Sequence, residues 1–212
     1  MTPYIEVLTE GASDVPVMHE LLARHFGLEK DVQFRIHPHQ GRGRLPDNPL
    51  ARPDPRHRGL LDQLPAKLRS MAWLPSNAVV LVLVDADNDD EAIFLMQLCA
   101  MLEQLPQRPP RVIFCLAVEE TESWFLADPH AVQTGFAHVR LRKIQGIAPD
   151  AVIGAWERLA EALGEDIRTV TGTRKLAWAK AIAPHMNFDT TPSPSLNTLI
   201  KRVRDYLDTV AS

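Results

Sequence analysis

Two uninterrupted aliphatic runs, residues 78–84 (AVVLVLV) and 112–118 (VIFCLAV), limit what this chain can become. A strand with one face in water alternates apolar and polar residues, whereas a run that is apolar throughout belongs to a strand covered on both faces, the habit of parallel sheets under helices. Each run is of strand length and each ends in acids: Asp85 and Asp87 after the first, Glu119, Glu120 and Glu122 after the second. The chain therefore reads as α/β, and its chemistry is expected where strands stop.

The rest of the pattern agrees. Residues 4–8 (YIEVL) suit a first strand closed by Glu10-Gly11, and Ser13 or Asp14 can cap a helix in which Met18, Leu21, Leu22, His25 and Phe26 recur at spacings of three and four. Residues 32–36 alternate as a second strand. The following stretch, HPHQGRGRLPDNPLARPDPRHRG, is too rich in proline and glycine for a regular element and is expected to be a long loop, of the kind that is functional or disordered. Helices are expected over 60–73, with Pro65 interrupting or restarting it, over 91–105, and briefly in EETESWFLAD. Strands alternating with helices imply a mostly parallel sheet with helices on both faces.

After Pro129 no strand is legible. Helices are expected over 149–163, opened by Pro149 and Asp150, and over 173–186 and 195–210, so the division expected is an α/β domain at 1–130 with a helical C-terminal appendage at 131–212. Trp124, Trp156 and Trp178 are expected in the core. Cys99 and Cys115, each in an apolar run, read as buried thiols, too few for a disulfide framework. With no basic leader and no apolar stretch long enough for a membrane span, a cytoplasmic protein without a membrane partner is expected.

Net charge is −4, but its distribution is uneven. Between Leu83 and Asp128 ten acids face two bases, while between Arg35 and Arg58 six arginines and three histidines face two acids. In open α/β sheets ligands bind beyond the carboxyl ends of the strands, so Glu10, Asp85, Asp87 and the glutamates after residue 118 would converge on one patch. Carboxylates crowded together repel one another unless a cation intervenes, and an all-oxygen donor set favours Mg²⁺ or Mn²⁺ over zinc. Asp85 and Asp87, two apart near a strand end, can point the same way, and Glu10 and Asp14 can share a face once the chain turns at Gly11. The run DADNDD is not an EF-hand loop, since Asp90 and Met96 stand where glycine and the closing glutamate are needed.

These residues carry a resemblance. Glu10-Gly11-Ala12-Ser13-Asp14, Asp85-Ala86-Asp87 and Glu119-Glu120-Thr121-Glu122-Ser123-Trp124 resemble, in order, the motifs EG-x-(S/T)-(D/E), D-x-D and EE-x-E-x-W of an uncharacterised bacterial Toprim-like family, related to the Toprim domain of OLD-family nucleases. The resemblance covers residues 1–130 well and the remainder loosely. It implies a Toprim-like fold and Mg²⁺- or Mn²⁺-dependent phosphodiester chemistry, with Glu10 as metal ligand or general acid/base and Asp85 and Asp87 as metal ligands. Asp14, matching a second carboxylate of the OLD-type enzymes, suggests two metals, with Glu120 or Glu122 completing the site. Lys175 and Lys180 match lysines near the family's C-terminal helices. Lys175 is then a catalytic or phosphate-binding group, and Lys180, Arg42 and Arg44 are expected on the nucleic-acid side.

The activity expected is that of a nuclease or nuclease-like effector on DNA or RNA, within a bacterial defence system. The chain lacks a P-loop, so an ATPase would be a separate partner, and a homo-oligomer stays open. Two other readings share the scaffold: a non-catalytic interaction subunit of an ATPase complex, and a metal-dependent phosphatase. A topoisomerase is disfavoured, because the two tyrosines, Tyr4 and Tyr206, fall inside the first strand and the last helix.

Overall fold

A computed structural model of the chain describes residues 2–87, 89–118, 120–151 and 153–211. Four parallel strands form one sheet: β1 (Tyr4–Thr9), β2 (Phe34–Pro38), β3 (Ala78–Asp85) and β4 (Val112–Ala117), in the order β2-β1-β3-β4. Helix α1 (Asp14–His19), continued by a π-helical stretch at Glu20–His25, links β1 to β2. The loop of residues 39–59 and α2 (Leu60–Ser70) carry the chain over β1 to β3, and α3 (Glu91–Glu103) leads to β4. Because the chain leaves β1 first to one side and later to the other, the order reverses between β1 and β3. Ligands of open α/β sheets collect at such a point.

The aliphatic runs do what their composition demands. Val79, Leu81 and Leu83 of β3 enter one apolar cluster and Val80, Val82 and Val84 the other, so this strand is sealed on both faces. On the second face lie Leu60, Leu64 and Leu68 of α2 with Phe94 and Leu98 of α3. The first face is covered by Val17 and Met18 of α1 and by the C-terminal helices α4 (Glu122–Leu126), α5 (Pro129–Gly135), α6 (Ala155–Leu163), α7 (Gly172–Ile182) and α8 (Pro194–Ala211). Among the described residues after 130 the regular elements are helices, and they share this core with the sheet: Trp178, Leu196 and Tyr206 join Trp124, Ile5 and Leu81 in one buried cluster.

Some local expectations change. The helix expected from Pro149 begins only at Ala155, after Gly154 in the left-handed region. Asp150 is spent elsewhere: its carboxylate accepts the Ser195 backbone N–H at 2.6 Å and the Ser193 hydroxyl at 2.9 Å, tying down the start of α8. Helix α5 was not separately legible; Asp128 opens it by accepting the Ala131 N–H at 2.9 Å. Pro65 sits inside a continuous α2. Cys115 is buried but Cys99 is exposed, because α3 is apolar nearly all round and only its Phe94–Leu98–Met101 face is buried. Trp156 is half-buried. Among the described residues no helix is long and apolar enough to cross a membrane.

Candidate functional site

The carboxyl ends of β1 and β3 are joined by a side chain. Glu10, the first residue past β1, accepts the Asp85 backbone N–H on Oε1 at 2.9 Å, across the point where the strand order reverses. The chain then turns at Gly11, whose carbonyl accepts the Thr9 hydroxyl at 3.1 Å and whose N–H donates to Asp14 Oδ2 at 3.0 Å. Ser13 holds the capping position of α1 without a side-chain bond, so Asp14 satisfies the turn instead of capping from outside. Its other oxygen accepts the Thr121 hydroxyl at 3.0 Å, which ties the end of β1 to the segment following β4.

Asp14, Thr121 and Glu122 are all buried, at 4 %, 2 % and 3 % exposure. An acid so deep needs positive charge, and α7 provides it: Lys175 Nζ lies 3.5 Å from Glu122 Oε1 and 3.4 Å from Glu120 Oε1. The same ammonium sits 5.1 Å from the ring centre of Trp156. Burial alone would lower the Lys175 pKa, but the two glutamates outweigh it and the pKa is raised.

One ammonium does not balance the cluster. Burial pushes Glu10 from the usual 4.5 up to about 8, the charges of Asp14 and Asp87 adding to the shift against the Asp85 N–H and Arg42. Asp14 is pushed up to about 6, by burial first and by the charge of Glu122. Asp85 is raised well above the ordinary aspartate range by burial and then by Asp14, Glu10, Glu122 and Glu120. Each of these acids thus feels the others. Burial and the neighbouring charges both act against ionising these acids, and Lys175 favours it at Asp14.

Asp87 stands apart from this inner group. The extended backbone stops at Asp85; Asp87 adopts φ = 48°, is exposed, and bonds Arg42 Nη1 at 2.8 Å. Arg42 also bridges to Asp89, and its guanidinium lies 4.6 Å from the ring centre of Phe94. It belongs to the long basic loop, whose entry is clipped to the site: His39 N–H donates to the Thr9 carbonyl at 3.0 Å and Gly41 N–H to the Glu10 carbonyl at 2.8 Å. The loop's other end is held by Asp62, which accepts the N–H groups of Gly59 and Arg44 at 3.1 Å each.

The sequence candidates therefore fall into three sets. Glu10, Asp14, Asp85, Glu120, Glu122 and Lys175 are brought together. Asp87 and Arg42 form an ion pair at the rim. Arg44 and Lys180 are exposed and outside the carboxylate cluster, and Glu119 lies outside the described residues. Sequence reasoning missed Thr121 as the hydroxyl donor to Asp14; its position within the EETE run was the available signal. It also missed that Arg42 is engaged by acids. Among the described residues no three or more carboxylate, imidazole or thiol groups form a ready ligand set for a metal ion.

A family model described as "Domain of unknown function (DUF4276)" matches residues 9–204. No curated protein and no solved structure matches the chain.

Proposed function

This chain belongs to the DUF4276 family, and we propose that it is a Mg²⁺- or Mn²⁺-dependent nuclease, or nuclease-like effector, of the Toprim type, acting on DNA or RNA phosphodiester bonds from the patch at the ends of β1, β3 and β4. The observation that carries this reading is the meeting of Glu10, Asp14, Asp85 and Glu122, from the three segments that follow β1, β3 and β4, at the point where the strand order reverses. Structural carboxylates are seldom gathered in this way, because burial and mutual repulsion both penalise them.

The donor chemistry suits the cation. Carboxylate oxygens supplemented by water are what Mg²⁺ takes, and the acids of the site resist ionising without added positive charge. No three of these groups stand in a ready ligand set, so an ion would have to draw Glu10 and Asp85 together, with Asp14 or Glu122 as a further ligand and water completing the shell. When bound, such an ion polarises a phosphoryl oxygen and acidifies a bound water. Without a cation Glu10 holds a proton up to about pH 8, so binding the ion at Glu10 would release that proton. Lys175 keeps its proton beside Glu120 and Glu122, a fixed positive charge next to the patch. Arg42 and Arg44 on the adjoining loop supply guanidinium groups for the backbone, Arg42 once it leaves Asp87 and Asp89.

A nicking assay on supercoiled DNA and on single-stranded RNA, with Mg²⁺ or Mn²⁺, tests the reading on wild type, Glu10→Ala and Asp85→Ala. Cation-dependent cleavage that disappears in both variants supports it. Equal cleavage by all three proteins, or none by wild type on either polymer, overturns it.

A further inference from the structure

A second candidate site lies on the other side of α1 from the carboxylates. Between α1, β2 and α7 is a cavity of about 700 Å³, within the range of small-molecule sites. Part of its lining is apolar, from Val15 and Pro16 of α1, Ile36 of β2 and Leu176 of α7. Around these stand Lys30, Arg35 and Lys180, each exposed and each from a different segment. Lys30 and Lys180 take part in no ion pair among the described residues, and Arg35 has only Asp31, at 4.0 Å. His19 and His37 add imidazoles to the wall, and Glu20 and Asp31 add two acceptors.

This mixture selects among ligands. A fatty or aromatic acid would satisfy the apolar lining and the cations but make no use of Glu20 and Asp31, whose carboxylates, already paired with Arg24 and Arg35, each have room to accept from further donors. Inorganic phosphate would use the cations and leave the apolar lining wet. A molecule with an apolar-faced ring, hydroxyl or amino donors at its edge and a terminal dianion uses all three kinds of group. We infer that this cavity is a binding site for a nucleoside monophosphate, its base on Val15, Ile36 and Leu176, its ribose or amino donors toward Glu20 and Asp31, and its phosphate toward Lys30, Lys180 and Arg35.

The inference does not rest on the metal reading, although the two sites share elements: Ala12 of the cavity follows Glu10-Gly11, and Leu176 follows Lys175. Calorimetric titration of the full chain in EDTA with each of AMP, GMP, CMP and UMP tests it, with adenosine and inorganic phosphate as controls. The expected result is binding of at least one monophosphate with a Kd on the order of 100 μM, its nucleoside and phosphate alone each at least about tenfold weaker. Lys30→Glu with Lys180→Glu should weaken that binding by more than about tenfold, in a protein whose circular dichroism is unchanged, and Lys180→Arg should retain it. Glu10→Gln should bind as wild type does, which separates this site from the carboxylate patch. The inference is overturned if no monophosphate binds, if phosphate or nucleoside alone binds as tightly, or if the double charge reversal leaves the affinity unchanged.

Discussion

Lys175 Nζ stands 3.5 Å from Glu122 Oε1, so α7, from the C-terminal part of the chain, supplies the positive charge for an acid that follows the last strand. The strands alone would deliver a cluster of buried carboxylates with nothing opposite them. Helix packing against the sheet and charge balance at its edge are thus one event, because the face of α7 that buries Trp178 and Ile182 belongs to the helix that carries Lys175 to Glu120 and Glu122.

Replacing Lys175 by Met keeps the unbranched apolar stem and removes the ammonium, leaving Glu122 buried without it. Removing one partner of a buried pair costs several kcal/mol, and Lys175 retains 22 % of its side-chain surface, so a loss of roughly 2 kcal/mol is expected in urea unfolding. The change should shrink in Lys175→Met combined with Glu122→Gln, because the second substitution removes the stranded charge. If Lys175→Met costs as much in the Glu122→Gln background as it does in wild type, the two residues are not energetically coupled.

The raised pKa of Glu10 sets the sign of a pH dependence. Between its ordinary value of 4.5 and about 8 the folded chain holds a proton that the unfolded chain has released, so stability falls as pH rises through that window and levels off above it. Asp14 acts in the same direction between 3.8 and about 6. In EDTA the melting temperature should therefore decline from pH 5 to pH 8. Glu10→Gln, neutral throughout, should flatten the upper part of that decline and melt about 2 to 4 °C above wild type at pH 8. A wild-type profile that rises over this range contradicts the electrostatics described.

How much of this was legible beforehand follows from the kind of interaction involved. The sheet was, because burial on two faces imposes continuous apolarity on β3 and β4 that no other element of that length imitates. Glu10, Asp14, Asp85 and Glu122 were, because parallel topology sends strand ends to one edge wherever they fall in sequence. The roles of Arg42 and Asp150 were not. Arg42 sits in a proline-rich loop whose path no periodicity encodes, and Asp150 follows a proline in what looks like a helix start yet bonds to residues 43 and 45 positions later. Side chains that act across long loops leave no local pattern.

The long loop's path depends on one glycine. Gly43 has φ = 69°, and a Cβ there would come within 2.7 Å of the Asp62 carboxyl carbon and 3.0 Å of Gly59 Cα. Gly43→Ala meets both the backbone penalty and the collision, so a destabilisation of about 1 to 3 kcal/mol is expected, with Arg42 drawn away from Asp87. Limited proteolysis should then cut within residues 39–59 faster than in wild type. Gly146→Ala is the control, because Gly146 also has positive φ (79°) but nothing within 4 Å of an added Cβ; it should cost less and leave the loop's cleavage rate unchanged.

The proposed divalent cation among Glu10, Asp14 and Asp85 would compete with the protons those groups hold, and this fixes the pattern expected for its effect on stability. At pH 8 Asp14 is above its pKa and Glu10 is near its own, so fewer protons stand in the way, and a cation at about a hundred times its Kd should stabilise the fold by about 2.7 kcal/mol, raising the melting temperature by roughly 5 to 10 °C for a chain of this size. At pH 5 Glu10 and Asp14 lie below their pKa values of about 8 and about 6, so the same cation must displace protons and its effect should largely vanish. Asp85→Asn should abolish the Mg²⁺-dependent rise at pH 8. In EDTA it should melt no lower than wild type, since it replaces a carboxyl group whose ionisation is opposed by burial and by its neighbours. If Mg²⁺ and Mn²⁺ leave the wild-type melting temperature at pH 8 unmoved, or raise it equally in Asp85→Asn, the acids of β1 and β3 do not share a cation.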